Sequence, residues 1–153
     1  MDIVKATAHD LKDLKKIGMD CFRQSVVVKK NKFIVELLFL RYFSQKKIRQ
    51  RMNKNTMVYV LKNESRVLGF YELEQEGLLA SLYVDLNHQR LGYGKMLMDD
   101  AVLKAKKANL KEIKLDANES AVVFYEKMGF KVVDKNKEIL GVVMVPMVKK
   151  LKS

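Results

Sequence analysis

The sequence predicts a mixed α/β fold of the α+β kind, a central mixed sheet flanked by helices, in one domain over residues 1–153. Three observations lead there. Apolar residues recur at three- and four-residue steps over 11–22, at every second residue from 57 to 84, and again at helical steps over 97–108, so helices bracket a run of strands. A strand, a helix and a strand follow one another between residues 78 and 117, the succession of a parallel, right-handed crossover unit. Gly92 and Gly94 stand between the first of those strands and its helix, where open α/β sheets receive ligands.

Composition narrows the class. At 153 residues the chain can bury a core without disulfide or metal staples. Its single cysteine, Cys21, cannot form an internal disulfide, and the opening Met-Asp-Ile-Val is not a basic-then-apolar leader, so the expected compartment is the cytoplasm. No apolar run approaches the roughly 20 residues a bilayer span needs, and no membrane association is expected. Two histidines and one cysteine are too few for a zinc site, and no metal is expected. The net charge of +12 points to an anionic partner, with CoA and nucleic acid as candidates, or to a surface that is simply Lys-rich.

Residues 2–6 make a short strand. Thr7 follows as an N-cap with Asp10 as the acidic member of a capping box. Leu11, Leu14, Ile17, Cys21 and Phe22 then share one helical face, which makes Cys21 a core residue. FIVELLFLRYF, residues 33–43, is apolar nearly all round and reads as a helix that is buried or covered by a partner; a homodimer is left open. Lys29, Lys30 and Lys32 precede it, and Lys46, Lys47, Arg49, Arg51 and Lys54 follow on a polar helical turn or loop. That basic stretch, 29–54, reads as a solvated face or as a surface for a substrate or partner.

From Thr56 the period becomes two. Residues 57–62 and 66–75 form a hairpin around Asn63-Glu64-Ser65, and Glu76-Gly77 turns into GLLASLYVD. Leu78, Ala80, Leu82 and Val84 lie on one face of that strand and Leu79, Ser81 and Tyr83 on the other, so it is expected to be a central strand covered on both sides. The next helix, about Tyr93 to Ala108, buries Leu97, Met98, Ala101, Ala105 and Ala108, and Asn109 suits its C-cap. A strand over 111–117, a helix over 119–128 ending at Gly129, and a closing hairpin follow. Pro146 has no N–H, so the last strand is expected to be an edge or to carry a bulge.

The chemistry concentrates in LYVDLNHQRLGYGKMLMDDAV, residues 82–102. A helix start leaves backbone N–H groups unpartnered and carries partial positive charge, which suits phosphate. A Walker A loop would need glycine and Ser or Thr where Gln89 and Met96 stand, and a dinucleotide fingerprint would need a third glycine where Leu97 stands. What remains, Gln89-x-x-Gly92-x-Gly94, resembles the acyl-CoA pyrophosphate loop of the GNAT superfamily of N-acetyltransferases. KEIKLDANESAVVFYEKMGFKVV, residues 111–133, resembles the second half of that family's acyl-CoA site, in the same order, so the likeness covers residues 78–133.

The resemblance implies a GNAT-like acyl-CoA N-acyltransferase fold with acetyl-CoA as co-substrate. The reaction it implies is direct attack of a primary amine, on a small molecule or peptide acceptor, at the thioester. Backbone groups of Leu82, Tyr83 and Val84 would pair with the pantetheine arm. Gln89, Arg90, Leu91, Gly92, Tyr93, Gly94 and Lys95 would wrap the pyrophosphate. Asn118 matches a CoA-contacting asparagine and equally suits an N-cap. Tyr125 matches the family tyrosine that protonates the thiolate; as part of an apolar stripe with Ala121, Phe124 and Met128 it also reads as a core tyrosine. In many relatives a carboxylate on the strand before the loop is the base, and LLASLYV has none. Glu72 and Glu74, on one face of the preceding strand, are the candidates, directly or through water, against a reading in which they face solvent. Residues 23–55 would wall the acceptor pocket. The missing carboxylate keeps a second class in view, a silent acyl-CoA-binding sensor or interaction module of the same fold. A nucleic-acid binder ranks last, for want of a helix-turn-helix signature or interleaved surface aromatics.

Overall fold

The computed structural model describes residues 1–152. In chain order the elements are β1 (Asp2–Lys5), α1 (Leu11–Ser25), α2 (Lys32–Tyr42), α3 (Gln45–Asn53), β2 (Met57–Asn63), β3 (Arg66–Leu73) and β4 (Leu79–Val84). Then come α4 (Tyr93–Lys107), β5 (Glu112–Asn118), α5 (Val122–Lys127), β6 (Lys131–Val132), β7 (Lys137–Ile139) and β8 (Val142–Lys150). The mixed α/β architecture is the one expected. The strands form two antiparallel sheets, β1-β2-β3-β4 and β5-β8-β6, with β7 also on β8. Among the described residues they are joined by one parallel bridge, Leu78 to Lys114, where Lys114 N–H donates to Gly77 O at 3.0 Å. β4 therefore lies between β3 and β5 as a central strand should, yet below that bridge's level the two neighbours diverge and β4 is bonded on one side only.

Two cores flank the first sheet. One gathers Leu11, Leu14, Ile17 and Phe22 of α1 with Phe43, Ile48, Val58, Val60 and Phe70. The other gathers Leu97, Met98, Ala101 and Ala105 of α4 with Tyr71, Leu73, Leu79, Ile113, Leu115 and Met147. The helical periods at 11–22 and 97–105 thus fall on buried faces as expected, whereas Ala108 is exposed. At the chain start Thr7 N–H donates to Asp10 Oδ2 at 2.8 Å, the expected capping box, on a tight turn that runs into α1. Close approach of α1 to the α2–α3 junction needs Gly18, since a Cβ there would lie 2.6 Å from the Phe43 ring.

Three expectations change. α2 buries only Val35, with Phe39, Leu40 and Tyr42 partly covered, while Phe33, Ile34, Leu37 and Leu38 face out. A helix offers one stripe to its core, and this one is apolar on the opposite stripe too. Arg51, counted with the basic stretch, turns inward: its Nε is 2.7 Å from Glu72 Oε1, its Nη1 donates to Tyr42 O at 2.8 Å, and its guanidinium lies 3.8 Å from the Tyr42 ring centre. Glu72 is consequently a fully buried ion-pair partner and not a solvent-facing carboxylate.

Pro146 gives the third change. β8 is the central strand of its sheet, with Pro146 opposite Asp116 of β5. Pro146 O accepts from Val133 N–H at 3.1 Å, on the β6 and β7 side. A residue's N and O point the same way in a strand, so the missing donor faces the gap where residues 133–136 leave the sheet between β6 and β7. The irregularity sits in the partner strand, and the β5 ladder is untouched.

Arg51→Met should leave Glu72 buried and unpaired, costing about 3 kcal/mol in urea denaturation. Adding Glu72→Met should recover most of that loss. Equal stability of wild type and the single variant would show the pair to be dispensable.

Candidate active site

The site grows out of the free edge of β4. Asp85 N–H donates to Leu68 O at 2.8 Å across the sheet. Peptide groups alternate sides along a strand, so Tyr83 and Ser81 turn theirs toward β3 as Asp85 does, and Leu82 and Val84 turn theirs toward the gap. Val84 O is occupied there by two donors, Cys21 Sγ–H and Gln89 Nε2, both at 3.2 Å. The Leu82 peptide groups are left facing the open cleft.

That cleft has a volume of about 660 Å³. Leu82, Tyr83 and Val84 line it from β4; Gln89, Arg90, Gly92, Tyr93, Gly94 and Lys95 from the loop and first turn of α4; Asn118 and Tyr125 from the far side. Leu91 does not line it and is 61% exposed, and Glu72 and Glu74 lie outside its lining. A second hollow of 390 Å³, lined by Lys54, Thr56, Tyr59 and Gln75 among others, holds none of the expected catalytic or acetyl-CoA-binding residues.

The loop is shaped by two left-handed residues, Arg90 (φ 64) and Gly92 (φ 85), and only the second is free of Cβ strain. Gly94 serves closeness: a Cβ would sit 3.2 Å from the Phe124 ring. The α4 ladder begins with Met96 N–H to Gly92 O at 3.1 Å, so the N–H groups of Tyr93, Gly94 and Lys95 have no intrahelical partner, and no side chain caps them. Three amides, the dipole of a 15-residue helix, and Arg90, Lys95 and Lys127 on the lining make this end of the cleft attract anions.

Another part of the lining is aromatic and hydroxylic. The Tyr125 ring packs against Phe124 and Phe130, and its O–H donates to no protein group among the described residues. Burial pushes its phenol up to about 12, so it holds its proton at neutral pH. Burial also raises the Tyr83 phenol, and Tyr125 adds to that rise. Asn118 makes no backbone cap; its Oδ1 accepts from Ser120 Oγ at 2.6 Å.

Glu72 reaches the cleft through one neighbour. Ser81 Oγ, on the lining, donates to Glu72 Oε2 at 2.8 Å. Glu74 is half-buried near the end of β3, where burial first, and then Glu76 and Glu72, raise its carboxyl above the ordinary range. Sequence reasoning passed over Ser81, although it is the one small polar residue within LLASLYV. Cys21, expected in the core, and His88 also line the cleft, Cys21 from the buried face of α1 and His88 with its Nδ1 2.6 Å from Asp85 Oδ2. Helical period alone cannot show that a buried face ends at a cavity. Among the described residues no cluster of His, Cys, Asp and Glu could hold a metal, and no helix is long and apolar enough to cross a membrane.

Comparison with known proteins gives this architecture a family. The chain is similar to the PaiA N-acetyltransferase of Thermoplasma acidophilum solved with coenzyme A (22% identity, 97% of this chain and 98% of that one, TM-score 0.85). It is similar also to yncA of Salmonella typhimurium solved with acetyl-CoA (15%, 100% and 95%, TM-score 0.75), and to the ribosomal-protein-S18-alanine N-acetyltransferase of Escherichia coli (16%, 99% and 94%, TM-score 0.75). The model of the acetyltransferase (GNAT) domain matches residues 20–151, and the chain belongs to the GNAT acetyltransferase family.

Burial, then the Asp20 charge, push the Cys21 thiol from 9.0 up to about 12, against a smaller lowering by its bond to Val84. A value raised on folding means that this group's contribution to stability is complete below pH 9.0 and is lost as pH climbs toward about 12. Native protein at pH 9.0, where an ordinary thiol is half ionised, should therefore resist iodoacetamide and react fully once unfolded. Alkylation of the native thiol at the rate of a free one would contradict the burial described.

Proposed function

We propose that the chain is an acetyl-CoA dependent N-acetyltransferase that moves the acetyl group to a primary amine of a small molecule or peptide by direct attack. The observation that carries the reading is the unpaired Leu82 edge running into unpaired α4 amides within one cleft. Such a cleft suits an extended ligand with phosphates at one end and hydrogen-bonding amide groups along its length. Acetyl-CoA supplies the activated acyl group as a thioester.

The chain's residues divide the remaining work. Tyr93, Gly94 and Lys95 N–H groups, with Arg90 and Lys127, hold the pyrophosphate, and Gln89 holds the loop to Val84 O. Leu82, Tyr83 and Val84 align the pantetheine arm, and Leu82 N–H is the donor assigned to the acyl oxygen, where negative charge grows as nitrogen adds. Asn118 borders the arm from β5. The C–N bond forms as C–S breaks, so one proton must leave the amine and one must reach the thiolate. Ser81 is assigned the first transfer, passing a proton toward Glu72; Glu74 is the second candidate base, its raised carboxyl better matched to proton acceptance than an ordinary one. Tyr125 is assigned the second transfer, since its hydroxyl carries a proton at working pH and spends it on no protein partner.

Acetyl-CoA offered with a panel of amines should release free thiol. Tyr125→Phe should lower kcat by about 10² to 10⁴ while leaving acetyl-CoA binding by calorimetry near wild type. Gly92→Asp with Gly94→Asp should abolish that binding, because both carboxylates would stand at the anion end. A lowered Tm with unchanged turnover in Tyr125→Phe would make that tyrosine a packing residue, and absence of acetyl-CoA binding to wild type would overturn the function.

A further inference from the structure

Helix α2 carries an apolar face turned away from its own core. Phe33 is 77% exposed, and Ile34, Leu37 and Leu38 are 49%, 50% and 50% exposed. Positions 33, 34, 37 and 38 fall within one arc of a helix. Scattered exposed leucines are ordinary, whereas four adjoining large apolar side chains mark a contact surface. The chain segment that carries them is strongly basic. Residues 26–54 contain a single carboxylate, Glu36, and Arg23 pairs with it at 2.8 Å. Lys29, Lys30, Lys32, Arg41, Lys46 and Arg49 are exposed, and among the described residues none has a salt-bridge partner.

The connector between α1 and α2 adjoins the cleft. Ser25, at the end of α1, lines it, and Ser120 Oγ donates to Ser25 O at 3.4 Å. Val28 pairs with Val142 and Lys29 N–H donates to Gly141 O at 3.0 Å, which pins the connector into α2 beside the cleft rim. Gly141 permits the crossing, since a Cβ would overlap Lys30 N.

We infer that α2 docks an acidic polypeptide whose apolar side chains cover Phe33, Ile34, Leu37 and Leu38 and which presents the acceptor amine to the cleft; the presentation rests on the acetyltransferase reading. The uncompensated positive rim selects acidic partners. A second copy fits poorly, because a two-fold contact would set the same cationic rim against itself. A bilayer satisfies charge and apolar face alike but keeps its headgroups in a plane, while a polypeptide lying on α2 can extend an amine past the rim.

Fluorescence anisotropy with a labelled peptide rich in Glu and Leu, bearing a free amine, reads docking without turnover. Wild type should bind it and should not bind the same peptide with Lys for Glu. Phe33→Gln with Leu37→Gln and Leu38→Gln should weaken binding at least about tenfold at unchanged Tm, because those side chains are exposed. Added salt should weaken it as well, since screening at physiological strength already acts beyond about 8 Å. In turnover the triple variant should raise KM for the peptide and leave KM for a small amine alone. Equal binding of the two peptides, or undiminished binding by the triple variant, overturns the proposal. So does a preference for phosphatidylglycerol vesicles over the peptide, or a dimer in sedimentation that the triple variant dissolves. Docking without acetyl transfer to any amine upholds the α2 site and overturns the transferase reading, so the two fail separately.

Discussion

The cleft depends on a strand edge that is denied a partner. β4 pairs with β3 along its length and meets β5 at one parallel bridge, after which the two diverge. Unpaired peptide groups on a strand ordinarily attract another strand, and burying them unmet would be costly. Here they open onto a cavity, and the divergence is maintained from outside the sheet. Leu97, Met98 and Ala101 of α4 fill the space over β3 and β5, and Phe124 presses against Gly94 from the other side of the gap. At the end of β4 the ladder is closed off by Cys21 and Gln89, which share the Val84 carbonyl.

Each flanking helix layer is also tied to the sheet by polar contacts. Arg51 joins α3, the end of α2 and Glu72 of β3, and Ser81 extends the cluster to β4. On the other side Tyr71 donates to Asp100 of α4 at 2.6 Å, and Lys104, 3.2 Å from Asp100, lies 4.4 Å from the Tyr59 ring centre. Buried ion pairs are weak contributors to net stability because desolvation opposes the attraction. Their effect here is positional, since hydrophobic contact is non-directional whereas a fork of guanidinium bonds fixes the rotation of α3 over the sheet.

Much of this was legible because it rests on local pattern. The change of period from helix to strand and back places most elements, and Gly92 with Gly94 before a helix marks the anion end of the cleft. What was hidden depends on pairing at a distance. Pro146 implies an edge strand or a bulge, since nothing local says that the neighbouring strand is interrupted opposite it. Arg51 is indistinguishable by type from Arg49 until the fold turns one inward. The polar side of the cleft escaped for the same reason: Ser81 acquires meaning only next to Glu72, and Cys21 only next to Val84. The apolar run at 33–43 reads as a helix that is buried or covered by a partner, because hydrophobicity reports the need for cover and says nothing of whether this chain supplies it.

The position of β8 has a consequence for the order in which the molecule can be assembled during translation. β5, β6 and β7 each pair with β8 and none of them with one another. The first sheet, by contrast, is a succession of neighbours, β2, β3 and β4, that can zip as they emerge. A ribosome that has delivered everything through residue 141 has therefore released a half-walled molecule, with one bank of the cleft folded and the other waiting for its keystone strand. The nascent chain passes through a stage in which the β4 edge has no opposite wall, and the arrival of Val142–Lys150, by pairing with β5, turns that bare edge into the bed of a cleft.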